Sequence, residues 1–304
     1  MKKKKSSKSA KNQIQISMQK LNLDRKQFEE EKLIWEKEKE EIQGNLRNLE
    51  KRLNFQLSLI ADLIHEQKSI NEKLGQTIEQ INYASQNIID PQDPYDYESL
   101  QGFHKLLVNT LLSANALNDI SNTRMEMLEF CMAPEVFMQA RPKKVYIWKT
   151  MEKLYKSINN VPNADARIFN MTGKSHKYYS TLRILPIAFF IILENAYKYT
   201  PLDEIIEIDF MERNQDLIVS ISNWGPEVEE YEISKIMERN YRGNNALKSH
   251  PSRGKGLGLP IMKTILDACQ VSYNINVDHC DIKTIDSIKY SKFTITLNFN
   301  DMRA

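Results

Sequence analysis

The chain is poor in glycine, proline and cysteine. Its 304 residues contain 9 glycines, about 3% where roughly 7% is usual. It has 10 prolines, the first of them Pro91. Before Pro91 only Gly44 and Gly75 interrupt the side chains, so nothing in that front stretch breaks a long helix. The three cysteines, Cys131, Cys269 and Cys280, show neither CxxC nor Cys/His spacing. That excludes a disulfide framework and a zinc-type site, and it points to a reducing, cytoplasmic setting. Charge of one sign is also missing: 42 basic side chains face 40 acidic ones, a net +2. No global field draws the chain to nucleic acid or to a membrane surface. The longest apolar run, Ile184 to Leu193, has ten residues, short of the roughly 18–20 a bilayer needs. No membrane span is expected. The N-terminal lysines precede no apolar core, so they do not read as a secretory signal.

What is present divides along the chain. Residues 1–19 carry Lys2 to Lys5, Lys8 and Lys11, and read as a basic disordered tail. Residues 20–54 read as a charged coiled-coil segment, since mixed charge over helix-forming residues fits a solvated helix. Leu53, Leu57, Ile60 and Ile64 then step by 4, 3 and 4, the seam of a coiled coil or bundle helix. Gln67 and Asn71 interrupt that seam. Pro91, Asp93 and Pro94 end the helix, and a second apolar-periodic helix runs from about Leu100 to Met132. Residues 55–133 therefore read as a helical hairpin. One hairpin cannot bury both seams, so pairing of two copies into a four-helix bundle is the natural completion.

From Pro134 to residue 304 the pattern changes to alternating strands and helices. Short strands are expected at the start of Arg141 to Trp148 and over Ala166 to Asn170, and helices over Lys149 to Asn159 and Leu182 to Tyr199. Strands follow over Glu204 to Met211 and Asp216 to Ser222, a helix over Pro260 to Cys269, and late strands over Val271 to Val277 and Lys292 to Phe299. The fold class is α+β: a long coiled-coil and helical-hairpin front followed by an α/β sandwich with helices on one sheet face.

Five of the nine glycines, Gly225, Gly243, Gly254, Gly256 and Gly258, lie in one short stretch. Arg253-Gly-Lys-Gly-Leu-Gly-Leu259 stands directly before a helix with Pro260 in its first turn. Glycines let backbone N–H groups approach an anion, and a helix N-terminus adds a favourable dipole. Upstream, Asn195 to Lys198 is an i,i+3 step and Glu194 to Lys198 an i,i+4 step, so all three can face one cleft. At this point four blocks stand in order: Leu193-Glu-Asn-Ala-Tyr-Lys-Tyr-Thr-Pro201, Ser222-Asn-Trp-Gly-Pro-Glu-Val228, Ile236-Met-Glu-Arg-Asn-Tyr-Arg-Gly243 and Gly254-Lys-Gly-Leu-Gly-Leu259. They resemble the N box, first glycine box, F box and second glycine box of the ATP-binding domain of sensor histidine kinases, a GHKL-type (Bergerat) fold.

The resemblance implies Mg-ATP as cofactor. It implies that Asn195 coordinates Mg²⁺ through its amide oxygen, a hard ligand suited to that ion. Lys198 would meet a phosphate, Tyr199 would line the nucleotide cleft, and Glu194 would orient or polarise the acceptor. Asn223 and Gly225 fall on the adenine side, where the family most often has Asp in place of Asn223. Asn keeps the carbonyl acceptor and loses the charge. Glu227 stands where a second glycine is usual, Ile191 where an Asn is common, and Met237 where Phe is usual. The polar segment from Gly243 to Gly254 resembles the nucleotide lid, with Arg242, Lys248, Arg253 and Lys255 able to reach phosphates when it closes. Gly254, Gly256, Leu257 and Gly258 complete the nucleotide set.

A histidine kinase also needs an imidazole presented on a helix. His65, followed by Glu66, matches the His-Glu start of the family's H box. It falls one residue past seam position Ile64, beside the polar break. Gln67, Lys68, Ser69 and Ile70 do not reproduce the rest of that box. His104 on the second helix is the other candidate. The resulting reading is a cytoplasmic sensor histidine kinase, homodimeric through its hairpin, that phosphorylates His65 and passes the phosphoryl group to a response-regulator receiver aspartate. The alternative is a GHKL-type ATP-gated switch or scaffold with a degenerate acceptor, signalling through its coiled coil. A purely structural coiled coil is a third reading.

Overall fold

The structure is a computed structural model and describes residues 2–87, 97–161, 167–250 and 255–300. The chain divides into two compact units, residues 1–59 and 60–304. Helix α1 spans Lys2–Asn87. It begins inside the stretch expected to be a disordered tail, because residues 2–19 contain no proline or glycine to stop a helix. In the first unit the helix carries a solvated surface. Arg25 pairs with Glu29 at 3.5 Å, and the Lys39 ammonium lies 5.1 Å from the centre of the Trp35 ring. Leu46, Leu49, Leu53 and Leu57 are exposed.

In the second unit, α1 residues from Ile60 onward meet helix α2, Tyr97–Met132. The proline loop expected between them lies outside the described residues. The polar break in the seam now has a reason. Gln67 Nε2 donates to Ser121 Oγ at 2.8 Å, and that hydroxyl donates back to Gln67 Oε1 at 3.0 Å. A reciprocal polar pair inside an apolar seam fixes the register of two helices. Ile70, Leu117 and Ile120 supply buried apolar contacts beside it.

A short helix α3, Pro134–Met138, follows, then strand β1, Lys143–Val145, and helix α4, Ile147–Asn159. Strands β2, Ile168–Thr172, and β3, Tyr179–Thr181, precede helix α5, Leu185–Tyr199. Strands β4, Ile205–Arg213, and β5, Asp216–Pro226, form an antiparallel pair. A six-residue helix α6, Asn244–Ser249, and helix α7, Gly258–Ala268, lead to β6, Ser272–Ile285, and β7, Ile288–Phe299. The main sheet has the order β2-β4-β5-β7-β6, with β2 and β4 parallel and the other neighbours antiparallel. Strands β1 and β3 make a separate two-stranded sheet.

Alternation decides which face is covered. Ile206 and Ile208 of β4, Leu217, Val219 and Ile221 of β5, and Ile295, Leu297 and Phe299 of β7 are buried. Helix α5 lies against β5 and between α4 and α7. The opposite face is polar, with Ser222 Oγ 2.8 Å from Thr294 Oγ1 and Lys292 Nζ 2.6 Å from Glu207. A sheet with one covered and one solvated face is the expected behaviour of largely antiparallel strands. The α/β sandwich inferred from the sequence is present.

The hairpin helix α2 and the sandwich lie in one unit because charged contacts join them. Lys153 Nζ of α4 reaches Asp119 of α2 at 2.8 Å, Ser157 donates to the same carboxylate at 3.1 Å, and Arg124 of α2 reaches Glu194 of α5 at 2.6 Å.

Candidate functional site

Helix α5 is the backbone of the site. Its apolar half, Ile187 to Leu193, is buried, and one turn later Glu194, Asn195, Lys198 and Tyr199 are half-buried. The change follows from helical periodicity: the helix runs out from under its neighbours and turns its last polar turn toward a cleft. Pro186 stands in its first turn, where the missing N–H costs nothing.

The four sequence blocks converge here. Gly258 approaches α5 so closely that a Cβ there would sit 3.2 Å from Ile191 Cγ2 and 3.8 Å from Asn195 Nδ2. Gly256 has φ +68, and a Cβ on it would overlap the backbone of Tyr241; glycine is required there on both counts. The Asn240 N–H donates to the Gly256 carbonyl at 3.1 Å. Asn245 Nδ2 of the lid segment donates to the Glu227 carbonyl at 3.0 Å. The His250 ring meets the Tyr199 ring edge-on, with centroids 5.5 Å apart. The first and third blocks thus each touch the fourth, and the second touches the lid segment, although 65 positions separate Leu193 from Gly258 in the numbering.

At the block Ser222–Val228, Asn223 is buried in β5 and its Nδ2 donates to the Trp224 carbonyl at 3.1 Å. The amide N–H₂ is thereby turned toward a neighbouring carbonyl, so the carbonyl end of Asn223 is the part it can present as an acceptor. Gly225 is close behind: a Cβ on it would lie 3.4 Å from that Nδ2. Glu227, the departure from a second glycine, is buried beneath the β6–β7 hairpin, with His279 and Lys289 each 3.9 Å from its carboxylate. Its backbone N–H donates to the Lys289 carbonyl at 2.8 Å. This turn is held by the hairpin's side chains and backbone in place of glycine freedom.

At the end of α5, the Lys198 ammonium lies 4.7 Å from the centre of the Tyr199 ring. Lys255 is exposed and Leu257 is buried at the head of α7. Arg242 Nη2 donates to the Ala246 carbonyl at 3.1 Å and the His250 carbonyl at 2.6 Å, so it organises the lid's own backbone. Arg253 and Gly254 lie outside the described residues. Asn195 beside the Gly258 turn is a hard-oxygen donor next to a glycine cradle, which suits Mg²⁺. The Glu194 carboxylate is held by Arg124, at 15% and 41% side-chain exposure for the arginine and the glutamate. The Arg124 guanidinium also lies 6.0 Å from the Phe190 ring centre.

His65 is exposed on α1. Glu66 follows it on the same helix. Among the described residues no hydrogen bond or ion pair joins His65 to the nucleotide blocks. His104 is exposed on α2.

Sequence reasoning missed Arg124 and Glu232. Arg124 stands on a helix read only for its apolar seam. Glu232 lies between two recognised blocks and is buried; it closes a capping box with Glu229, without the Ser or Thr at the N-cap that usually signals one.

Residues 184–301 match the family described as histidine kinase-, DNA gyrase B-, and HSP90-like ATPase. The sensor protein KdpD of Clostridium acetobutylicum is 34% identical over 77 residues, 25% of this chain and 8% of KdpD. The sensor protein CiaH of Streptococcus pneumoniae is 34% identical over 113 residues, 36% of this chain and 24% of CiaH. The chain thus matches a quarter or less of the length of either relative. A solved mycobacterial sensor histidine kinase, MprB, is 17% identical with a TM-score of 0.41, covering 53% of this chain and 99% of that one. With the Gly258 turn and His250 meeting the end of α5, the chain carries over residues 184–301 an ATPase domain of the histidine kinase-, DNA gyrase B-, and HSP90-like kind.

Proposed function

We propose that this chain is a sensor histidine kinase that binds Mg-ATP on α5 and phosphorylates His65. The observation that carries the reading is the convergence of Asn195, Lys198, Tyr199, the Gly256–Gly258 turn and the lid on one helix end. The ATPase domain implies ATP as the nucleotide. In this reading Asn223 accepts a hydrogen bond from the adenine amino group, and Lys198, Arg253 and Lys255 meet phosphates. Asn195 holds Mg²⁺, which supplies charge neutralisation at the phosphates when bound.

Phosphoryl transfer asks the protein mainly to position its reactants and neutralise charge. A neutral ring nitrogen of His65 attacks the γ-phosphorus, the bond from phosphorus to the β–γ bridging oxygen breaks, and ADP leaves. The ring proton passes to a carboxylate, Glu66 or Glu194, which also holds the tautomer. Glu194 first exchanges Arg124 for the imidazole. The hairpin pairs with a second copy, and a receiver aspartate takes the phosphoryl group. Among the described residues no helix is long and apolar enough to cross a membrane.

The test is labelling with γ-labelled ATP. Wild type is expected to gain acid-labile label that His65→Gln abolishes. Equal labelling of the variant, or no label on wild type, overturns the kinase reading. The Arg124–Glu194 bridge favours a second reading, an ATP-gated switch without an acceptor, because it occupies the carboxylate a kinase would use. That reading expects nucleotide binding and no phosphohistidine.

A further inference from the structure

We infer that Glu232 is a positioning residue for the nucleotide lid, acting on ATP affinity without touching ATP; this rests on the nucleotide-site reading above. Glu232 is 0% exposed, and a buried carboxylate is tolerated only where donors surround it. Three do. Tyr241 Oη donates to Oε1 at 2.9 Å, the Asn244 N–H donates to Oε1 at 2.9 Å, and the Glu229 N–H donates to Oε2 at 3.2 Å. Gly243 packs against the group, where a Cβ would lie in ordinary contact, 3.6 Å from Oε2.

Those donors sit at the places that set where the lid begins. Asn244 is the first residue of α6. Tyr241 is the residue whose backbone faces Gly256, at the far end of the lid. Burial and the Glu232 hydrogen bond push the Tyr241 phenol up to about 12, so it stays a donor at neutral pH. One carboxylate therefore ties the entry of the lid to the glycine turn at its exit. From that anchored start, Arg242 gathers the carbonyls of Ala246 and His250, and His250 meets Tyr199. A lid pre-positioned this way costs less ordering when nucleotide binds.

The experiment measures affinity for a fluorescent ATP analogue and amide hydrogen exchange over residues 243–250 in the full chain. The variants are Glu232→Gln and Tyr241→Phe. Glutamine keeps the size but aims an N–H₂ at N–H and O–H donors. Expected are a loss of analogue affinity of about tenfold or more for Glu232→Gln, a loss of about threefold for Tyr241→Phe, and faster lid exchange in both. A merely structural role would lower the melting temperature and leave affinity and lid exchange of the folded protein unchanged; that result overturns the inference. If Glu232→Gln does not fold, Tyr241→Phe decides by the same criteria. A wild type that binds no analogue overturns the nucleotide reading together with this inference; a wild type that binds, with unchanged variants, overturns this inference alone.

Discussion

The hairpin and helix α5 are both apolar helices, and they use their apolar residues in opposite ways. Nine of the fifteen α5 residues are buried, covered by the sheet on one side and by α4 and α7 at the flanks. In the hairpin, Ile70, Leu117, Ile120 and Phe130 are buried, while Ile64, Ile78, Leu106, Leu111, Leu112 and Met125 are exposed. Layered packing completes a core within one chain, whereas two helices can shield only the seam between them. A helix that meets layers on several sides is specified from within. A hairpin leaves an apolar stripe whose cover must come from outside it, which is why we expect a second copy there.

The comparison breaks most visibly at the core. Phe189→Ala removes a fully buried ring that meets Phe299 edge-on at 6.1 Å. It is expected to cost ~3–5 kcal/mol of stability, read as a drop in the urea midpoint with loss of nucleotide binding. A change below about 1 kcal/mol would mean the α5 core is not what holds the domain. At the hairpin, Leu111→Glu is expected to leave nucleotide affinity intact and to weaken self-association by about tenfold or more, measured by sedimentation. Unchanged self-association would remove the contrast between an internally covered helix and an externally covered one.

Arg124 is where the two regions meet through charge, so Arg124→Ala tests their coupling. Freed from its partner, Glu194 is expected to support phosphorylation about threefold faster or more, measured as the initial rate of labelling. A slower rate would make Arg124 an aid to the site and not a restraint on it. Substitution of Asp119 by Asn is expected to have a smaller effect, since its partner Lys153 is 65% exposed and exposed pairs contribute ~1 kcal/mol or less.

The smallest effect concerns alkaline pH. The Tyr241 phenol is raised from 10 to about 12 by burial and by Glu232. Below pH 10 both states keep the proton, and the contribution is fully present. Between pH 10 and about 12 the unfolded chain ionises while the folded one does not, so stability falls as pH rises. The urea midpoint of wild type is expected to decline more steeply over that range than that of Tyr241→Phe. Parallel declines would place the alkaline sensitivity elsewhere.

Much of this was legible in order along the chain. The proline-free front, the strands β4 and β5 and the apolar run of α5 follow from period and punctuation. Helix α6 was not legible: six residues, of which only Ala246 and Leu247 are apolar, carry no periodicity, and Arg242 holds the Ala246 and His250 carbonyls from outside. The length of β6 and β7 was also hidden. Their turn, Asp286 and Ser287, takes positive φ at both positions without the Asn-Gly signal such turns usually show, and a register irregularity between Asp278 and Ile282 breaks the alternation.

Residue types and spacing alone determined that Glu194, Asn195 and Lys198 share a helix face, that glycines precede α7, and that the front of the chain is helical, because these are local consequences of helical period and backbone freedom. Only the tertiary structure decided what each group touches. It alone placed Arg124 on Glu194, paired Gln67 with Ser121, and made Glu232 the buried acceptor at the lid's start. Those partners are 70, 54 and up to 12 positions apart, and contacts at such separations are chosen by packing and burial, not by local pattern.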